Sequence, residues 1–309
     1  MQIGSVQFFK RLILFTLALL ILVPLICSLV FGIGFSMRGR EVSRLSGELE
    51  QVSDELLERQ LSVEAILTDK RSARGAAIPA PASSALQALY PDMVVDAPAE
   101  YRDVPKTVYL TFDDGPSTQT VKNLDLLAKE QIKATFVTGK NSEAHPEIIK
   151  RIVAEGHTLG VHTYSHNYRE IYASVEAYLD DFYKLWSYLD ETTGVKPTVF
   201  RFAGGSINVY NRDIYQEIVA EMLRRGFTYY DWNVSAGDAA NHVSGAEILQ
   251  NVVNGVPKHD MAVVLMHDCA NDAATGNMLG EIIQSARVAG YRFDRLDNTV
   301  RPTTFAYGR

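Results

Sequence analysis

Hydrophobic and polar positions divide this chain into three regimes. From residue 12 to residue 35 no charged side chain occurs, and those 24 positions would rise roughly 36 Å as a helix, enough to cross a bilayer core with some tilt. The run is longer than the apolar region of a secretory leader and no Ala-x-Ala site closes it, so an uncleaved single-pass anchor is expected. Next, Val42, Leu45, Leu49, Val52, Leu56, Val63 and Ile66 recur on alternating three- and four-residue steps, broken at Arg59. This a/d heptad pattern reads equally as a parallel coiled coil joining two copies or as a lone amphipathic stalk helix. Residues 71–99 turn rich in Ala, Pro and Ser. Within them 76–84 reads as extended linker, and the more apolar 86–95 is expected to brace the domain that follows.

From about residue 106 onward, short apolar runs alternate with amphipathic stretches. Strands are predicted at 108–112, 134–137, 158–162, 198–202, 227–232, 262–266 and 291–293. Helices are predicted at 148–154, 175–189, 214–225, 246–253 and 278–289, and Gly156, Gly194, Gly226 and Gly290 each follow a helical stretch as C-terminal caps do. About seven βα units imply a parallel sheet, most economically closed or nearly closed into a distorted (β/α)-barrel smaller than the eightfold one. The expected fold class is therefore α/β, preceded by a transmembrane helix and a helical stalk. The expected organisation is 1–37 cytoplasmic tip and anchor, 38–70 stalk, 71–100 linker and brace, and 101–309 catalytic domain.

Composition then narrows the partners. A formal net charge of -7 and a pI near 5.5 lack the basic footprint that nucleic acid requires. The two cysteines, Cys27 in the apolar run and Cys269 near the other end, cannot form a disulfide framework. Lys10 and Arg11 precede the span while Arg38, Arg40 and Arg44 follow it, so the flanking positive charge does not favour an external C-terminal domain.

Five short segments carry the chemistry, and each ends or follows a predicted strand, where α/β folds place their active sites. They are Thr111-Phe112-Asp113-Asp114-Gly115, His162-Thr163-Tyr164-Ser165-His166, Arg201-Phe202-Ala203-Gly204-Gly205, Asp231-Trp232 and Leu265-Met266-His267. Asp113 and Asp114 alone read as an Asp-Gly turn. The alternative is a pair of carboxylates pointing apart, one to a metal and one to a water. Two imidazoles four residues apart, His162 and His166, clamp a divalent transition metal and, with one aspartate, leave coordination positions open, as a catalytic site needs. His267 suits a general acid, because an imidazole titrates near neutrality. Arg201 beside an aspartate and Asp231 behind His267 would be supporting ion pairs. Trp232 and Leu265 could wall an apolar pocket for a methyl group or a sugar face.

Together these segments resemble the polysaccharide deacetylase family, carbohydrate esterase family 4, also called the NodB homology domain, over roughly residues 106–293. The resemblance implies a distorted barrel and divalent-metal-dependent removal of acetyl groups from glycans. By matching positions it implies Asp113 as catalytic base, Asp114, His162 and His166 as metal ligands, and Arg201 as the tether of the base. It further implies Asp231 as the residue tuning the acid His267, the Gly204 N–H as oxyanion donor, and Trp232 and Leu265 as the acetyl pocket. Zinc is the first expectation for the single metal, with cobalt, manganese or nickel as alternatives. One position departs from the family pattern: Ala203 stands where proline is usual, which implies a looser loop around Gly204.

These readings combine into an expected enzyme of the cell membrane, single-pass, with its deacetylase domain outside and a homodimer through the stalk as one option. Peptidoglycan N-acetylglucosamine is the first expected substrate. Acetylated xylan, chitin oligomers and exopolysaccharide are alternatives, as is a non-catalytic glycan-binding role. A metal phosphoesterase would want a second metal and more carboxylate ligands than Asp114 alone supplies.

Overall fold

The computed structural model describes residues 84–240, 243–268 and 273–305. The expected anchor, stalk and almost all of the linker lie outside those residues. Among the described ones no helix is long and apolar enough to cross a membrane.

Eight strands form one sheet in which every pairing is parallel: β1 (Thr107–Asp113), β2 (Thr135–Thr138), β3 (Thr158–Val161), β4 (Val199–Phe200), β5 (Thr228–Tyr229), β6 (Val234–Ser235), β7 (Met261–His267) and β8 (Arg292–Asp294). The spatial order is β5-β4-β3-β2-β1-β7-β6, with β8 also pairing β1. β1 and β7 are the longest strands and are buried along almost their whole length, β7 being apolar up to His267. Both faces of the sheet are covered, so these two strands read as continuous rather than alternating hydrophobic runs. Even positions of β1, Val108, Leu110 and Phe112, join the main core under the helices. On the opposite face Tyr109 packs with Val199, Tyr230, Val263, Leu296 and Val300 in a second cluster inside the curl of the sheet. The crossovers run through α2 (Thr118–Lys129), α3 (Pro146–Ala154), α4 (Tyr168–Ile171), α5 (Val175–Thr193), α6 (Tyr215–Arg224), α7 (Gly245–Gly255) and α8 (Ala273–Val288); α1 (Ser84–Ala88) precedes them.

The α/β alternation follows the sequence reading, with three differences. Helix α2 is absent from the predicted set, although Ser117 caps it by accepting from the Gln119 N–H. The predicted strand 227–232 shortens to β5, and an unpredicted strand, β6, follows it on the opposite edge of the sheet. After Tyr229 the chain leaves the sheet, because the Asp231 N–H donates to the Thr303 carbonyl and the Asn233 side chain pairs with β7 at Val263 N and Met261 O. The sheet therefore curls as an open half-barrel: among the described residues β5 pairs only β4 and β6 only β7.

Helix α1 and the segment following it pack into the same core. Leu86 and Met93 are buried, and the Arg225 guanidinium beneath them is 1% exposed. Its five N–H groups are all engaged, with Glu221 and with the carbonyls of Leu86, Leu89, Tyr90 and Met93 at 2.7–3.3 Å.

Candidate active site

Register decides which side chains meet. β1 and β7 run in step, so Asp113 and His267, the last residue of each, are direct neighbours facing the same side of the sheet. Asp113 is buried and accepts from Arg201 Nη1 at 2.8 Å. Arg201, itself buried, is fixed by three further bonds, to the Tyr230 and Asp231 carbonyls and to Thr111 Oγ1. Asp114 has a left-handed φ of 68°, which turns the chain sharply and parts the two adjacent carboxylates.

The Asp114 carboxylate meets the two imidazoles. Its Oδ1 lies 3.6 Å from His162 Nε2 and 3.3 Å from His166 Nε2. Two donors each about 2.0–2.2 Å from a tetrahedral zinc stand roughly 3.3–3.6 Å apart, so this spacing fits one such ion. The tautomer fits as well. His162 Nδ1 is 2.9 Å from the Arg201 carbonyl, which can only accept, so in the neutral ring Nε2 carries the lone pair toward Asp114. Burial, and then the neighbouring His162, hold the His166 imidazole below its ordinary range, which also favours the ligating form. The loop between the imidazoles is pinned by Asp181 of α5, whose carboxylate accepts from the N–H groups of Tyr164 and Ser165. Among the described residues this trio is the one cluster of histidine, cysteine or acidic side chains close enough to share a metal ion.

His267 is where the structure corrects the sequence reading. The carboxylate behind it is Asp238, which lies 2.9 Å from His267 Nδ1 through Oδ1 and accepts from the His267 N–H and Thr275 Oγ1 through Oδ2, each at 2.8 Å. Burial opposes charge on His267. The bond to Asp238 and the carboxylates of Asp113, Asp238 and Asp114 outweigh it, and the imidazole is pushed up to about 9. Asp231 does not serve His267. Its buried carboxylate accepts from Ser206 N, Ser206 Oγ and Phe305 N at 2.6–2.8 Å, tying the Gly204–Gly205 loop to the chain's C-terminal segment. The Asp-Trp pair resembled a strand-end motif, whereas Asp238 follows β6, a strand that the sequence reading did not predict. That second strand end is the signal that would have found it.

The remaining predicted residues flank this centre. Leu265 is buried two positions before His267, on the same face of β7. The Trp232 ring packs against the Arg201 guanidinium and edge-on to Phe305, so it walls the arginine side. Gly204 is exposed at φ 74°, beside Tyr168, whose ring also meets His166 and the half-exposed Tyr210.

Comparison with known proteins matches this arrangement to one family. Residues 101–223 match the family profile of polysaccharide deacetylases. A polysaccharide deacetylase of Bacillus subtilis, named as putative, is 33% identical over 204 residues, which cover 64% of this chain and 69% of that one. The chain belongs to the polysaccharide deacetylase family. A second relative from that family, a peptidoglycan-N-acetylglucosamine deacetylase of Bacillus cereus, is 30% identical over 195 residues, covering 61% of this chain and 68% of its own. Among solved structures, the catalytic domain of a peptidoglycan N-acetylglucosamine deacetylase from Eubacterium rectale is 34% identical. It superposes with a TM-score of 0.64 and covers 71% of this chain and all of that one. Family membership makes the chain a hydrolase of glycan acetyl groups.

Proposed function

We propose that this protein removes N-acetyl groups from envelope glycan, with peptidoglycan N-acetylglucosamine as the substrate and one divalent cation, zinc in the first place, held by Asp114, His162 and His166. The observation that carries the reading is the convergence at neighbouring strand ends of a buried Arg201–Asp113 pair, an Asp-His-His trio and an Asp238-backed His267. The names of the Bacillus cereus and Eubacterium rectale relatives support peptidoglycan over xylan, chitin oligomers or exopolysaccharide.

When bound, the cation supplies Lewis acidity toward a water and the acetyl carbonyl. Asp113, held by Arg201, takes the proton from the water as its oxygen attacks the carbonyl carbon. The Gly204 N–H receives the oxyanion that forms. His267, charged at neutral pH, gives its Nε2 proton to the amide nitrogen as the C–N bond breaks, so acetate leaves and the amine stays on the sugar. Asp238 holds the other ring nitrogen and steadies the imidazolium. Tyr168 and Tyr210 give a sugar ring beside the site an aromatic surface.

For localisation we propose the anchor at 12–35 with the domain outside, since the glycan lies there and a long C-terminal domain translocates despite a weak local charge bias. The stalk then sets reach and is one route to a dimer. Protease added to intact protoplasts should release the domain by cutting between residues 76 and 84. Protection until the membrane is broken would remove peptidoglycan from consideration. The activity itself is tested by acetate release from a panel of purified peptidoglycan, chitin oligomers and acetylated xylan. Release from peptidoglycan first is expected, and release from none of them refutes the reading.

A further inference from the structure

The loop at 201–206 holds an alanine and two glycines where a stiffer sequence is usual, yet its carbonyls are tied one after another. Arg201 O meets His162 Nδ1, and Phe202 O accepts from the Gly205 N–H at 2.9 Å. Ala203 O accepts from Tyr172 Oη at 2.7 Å and from Asn208 Nδ2 at 3.1 Å. Gly205 O accepts from Asn208 Nδ2 and, more distantly, Asn211 Nδ2, and Ser206 O accepts from Asn211 Nδ2. Asn208 and Asn211 are locked to each other, since Asn211 Oδ1 accepts from the Asn208 N–H at 2.8 Å. Rings close the loop from both sides. A Cβ on Gly204 would come within 2.8 Å of the Tyr168 ring and one on Gly205 within 2.6 Å of the Phe305 ring, both at left-handed φ. At the centre, Gly204 is an exposed residue and its N–H donates to no acceptor among the described residues.

We infer that Tyr172, Asn208 and Asn211 are positioning residues that replace the constraint of a proline at 203, fixing the Gly204 N–H for the oxyanion of acetyl transfer. The inference rests on the deacetylase reading. A proline restrains φ at one residue through the covalent chain. Here side chains from the end of α4 and from the 208–211 turn restrain the loop through its oxygens. Preorganisation of this kind acts on the transition state, where charge has developed, more than on substrate binding.

The test uses the full chain, an acetylated chitin oligomer and steady-state kinetics, with metal content and melting measured alongside. Tyr172→Phe removes one hydroxyl and keeps the ring. It should lower kcat by about 3- to 10-fold, the size of one neutral hydrogen bond, with KM within about twofold and metal content unchanged. Asn208→Ala, which removes one donor from each of two carbonyls, should lower kcat further, short of the roughly 10² to 10³ for losing an oxyanion donor outright. The Ala203 N–H donates to no acceptor among the described residues, so Ala203→Pro sacrifices no protein bond and should recover most of the kcat lost in Tyr172→Phe. Unchanged kcat in both loop variants, or a loss that falls in KM alone, overturns the inference. So does failure of rescue while Ala203→Pro by itself keeps full kcat. If Ala203→Pro alone is inactive through crowding, the kcat–KM split of the other two variants decides. If the unmodified chain releases no acetate from any glycan, the deacetylase reading falls and takes this inference with it. If it does release acetate and Tyr172→Phe matches its kcat, only the inference falls.

Discussion

Replacing Asp238 by asparagine should move the alkaline limb of the pH–rate profile, because the bond to that carboxylate is the largest single effect that keeps His267 charged. In the native site burial works against the imidazolium, and the Asp238 bond with the nearby carboxylates still brings the imidazole to about 9. A cation at Asp114 would weaken that group's pull but leave Asp238's intact. Without the Asp238 charge the imidazole falls from about 9 toward its ordinary range, since burial then meets only the carboxylates of Asp113 and Asp114. With the whole shift lost, the protonated fraction at about pH 8 would fall from about nine-tenths to about three-hundredths, so roughly 30-fold is the upper limit of the loss. At about pH 6 the fraction stays near three-quarters and the protonation loss is below twofold. The amide also cannot accept from the His267 ring, the His267 N–H and Thr275 together, so a pH-independent loss of ring orientation is superimposed. The assay is acetate release against pH for the unmodified chain, Asp238→Asn and Asp231→Asn. Asp231→Asn should reduce activity by loosening the Ser206 and Phe305 ties without moving the limb. An alkaline limb unmoved in Asp238→Asn, or displaced in Asp231→Asn, refutes the assignment.

Four other outcomes follow from the same geometry. Asp114→Ala, His162→Ala and His166→Ala should each abolish metal retention on elemental analysis, since a three-ligand site rarely survives on two. Asp113→Asn should keep the metal and the fold yet lose most turnover, because the amide accepts no proton from water; loss of metal instead would mean the two aspartates are exchanged. Arg225→Ala should destabilise the domain by about 3 kcal/mol or more, a fall in Tm of roughly 6–12 °C, by removing five buried hydrogen bonds and leaving Glu221 to Arg224 alone and the Leu89 and Met93 carbonyls without their donors. A fragment beginning at residue 101 should melt lower than one beginning at 84 for the same reason, and equal melting temperatures would contradict the role given to 86–95.

The Asp114–His162–His166 cluster and the Asp113–Arg201 pair were legible in the sequence because their segments end or follow an apolar run long enough to read as a strand. Parallel strand ends converge whatever the details of the loops. The partner of His267 was not legible. Asp231 and Asp238 both follow short strands, and only the pairing of β6 with β7 decides that Asp238 reaches the imidazole. The open sheet was hidden for a related reason: Asn233 imitates a strand residue with its side chain, and no hydrophobic period records that. Tyr172, Asn208 and Asn211 read as helix-face and turn residues, since their function is to hold carbonyls whose position the sequence does not encode locally. Ala203 was visible as a departure. Its compensation was not.

The central claim is that one cation on Asp114, His162 and His166 makes this chain a deacetylase, and add-back after chelation tests it most directly. Full-length protein should lose acetate release from purified peptidoglycan when stripped of metal. About one equivalent of zinc per chain should restore it, and His166→Ala should not respond. Undiminished acetate release after exhaustive chelation, with elemental analysis showing no bound metal, would contradict the account.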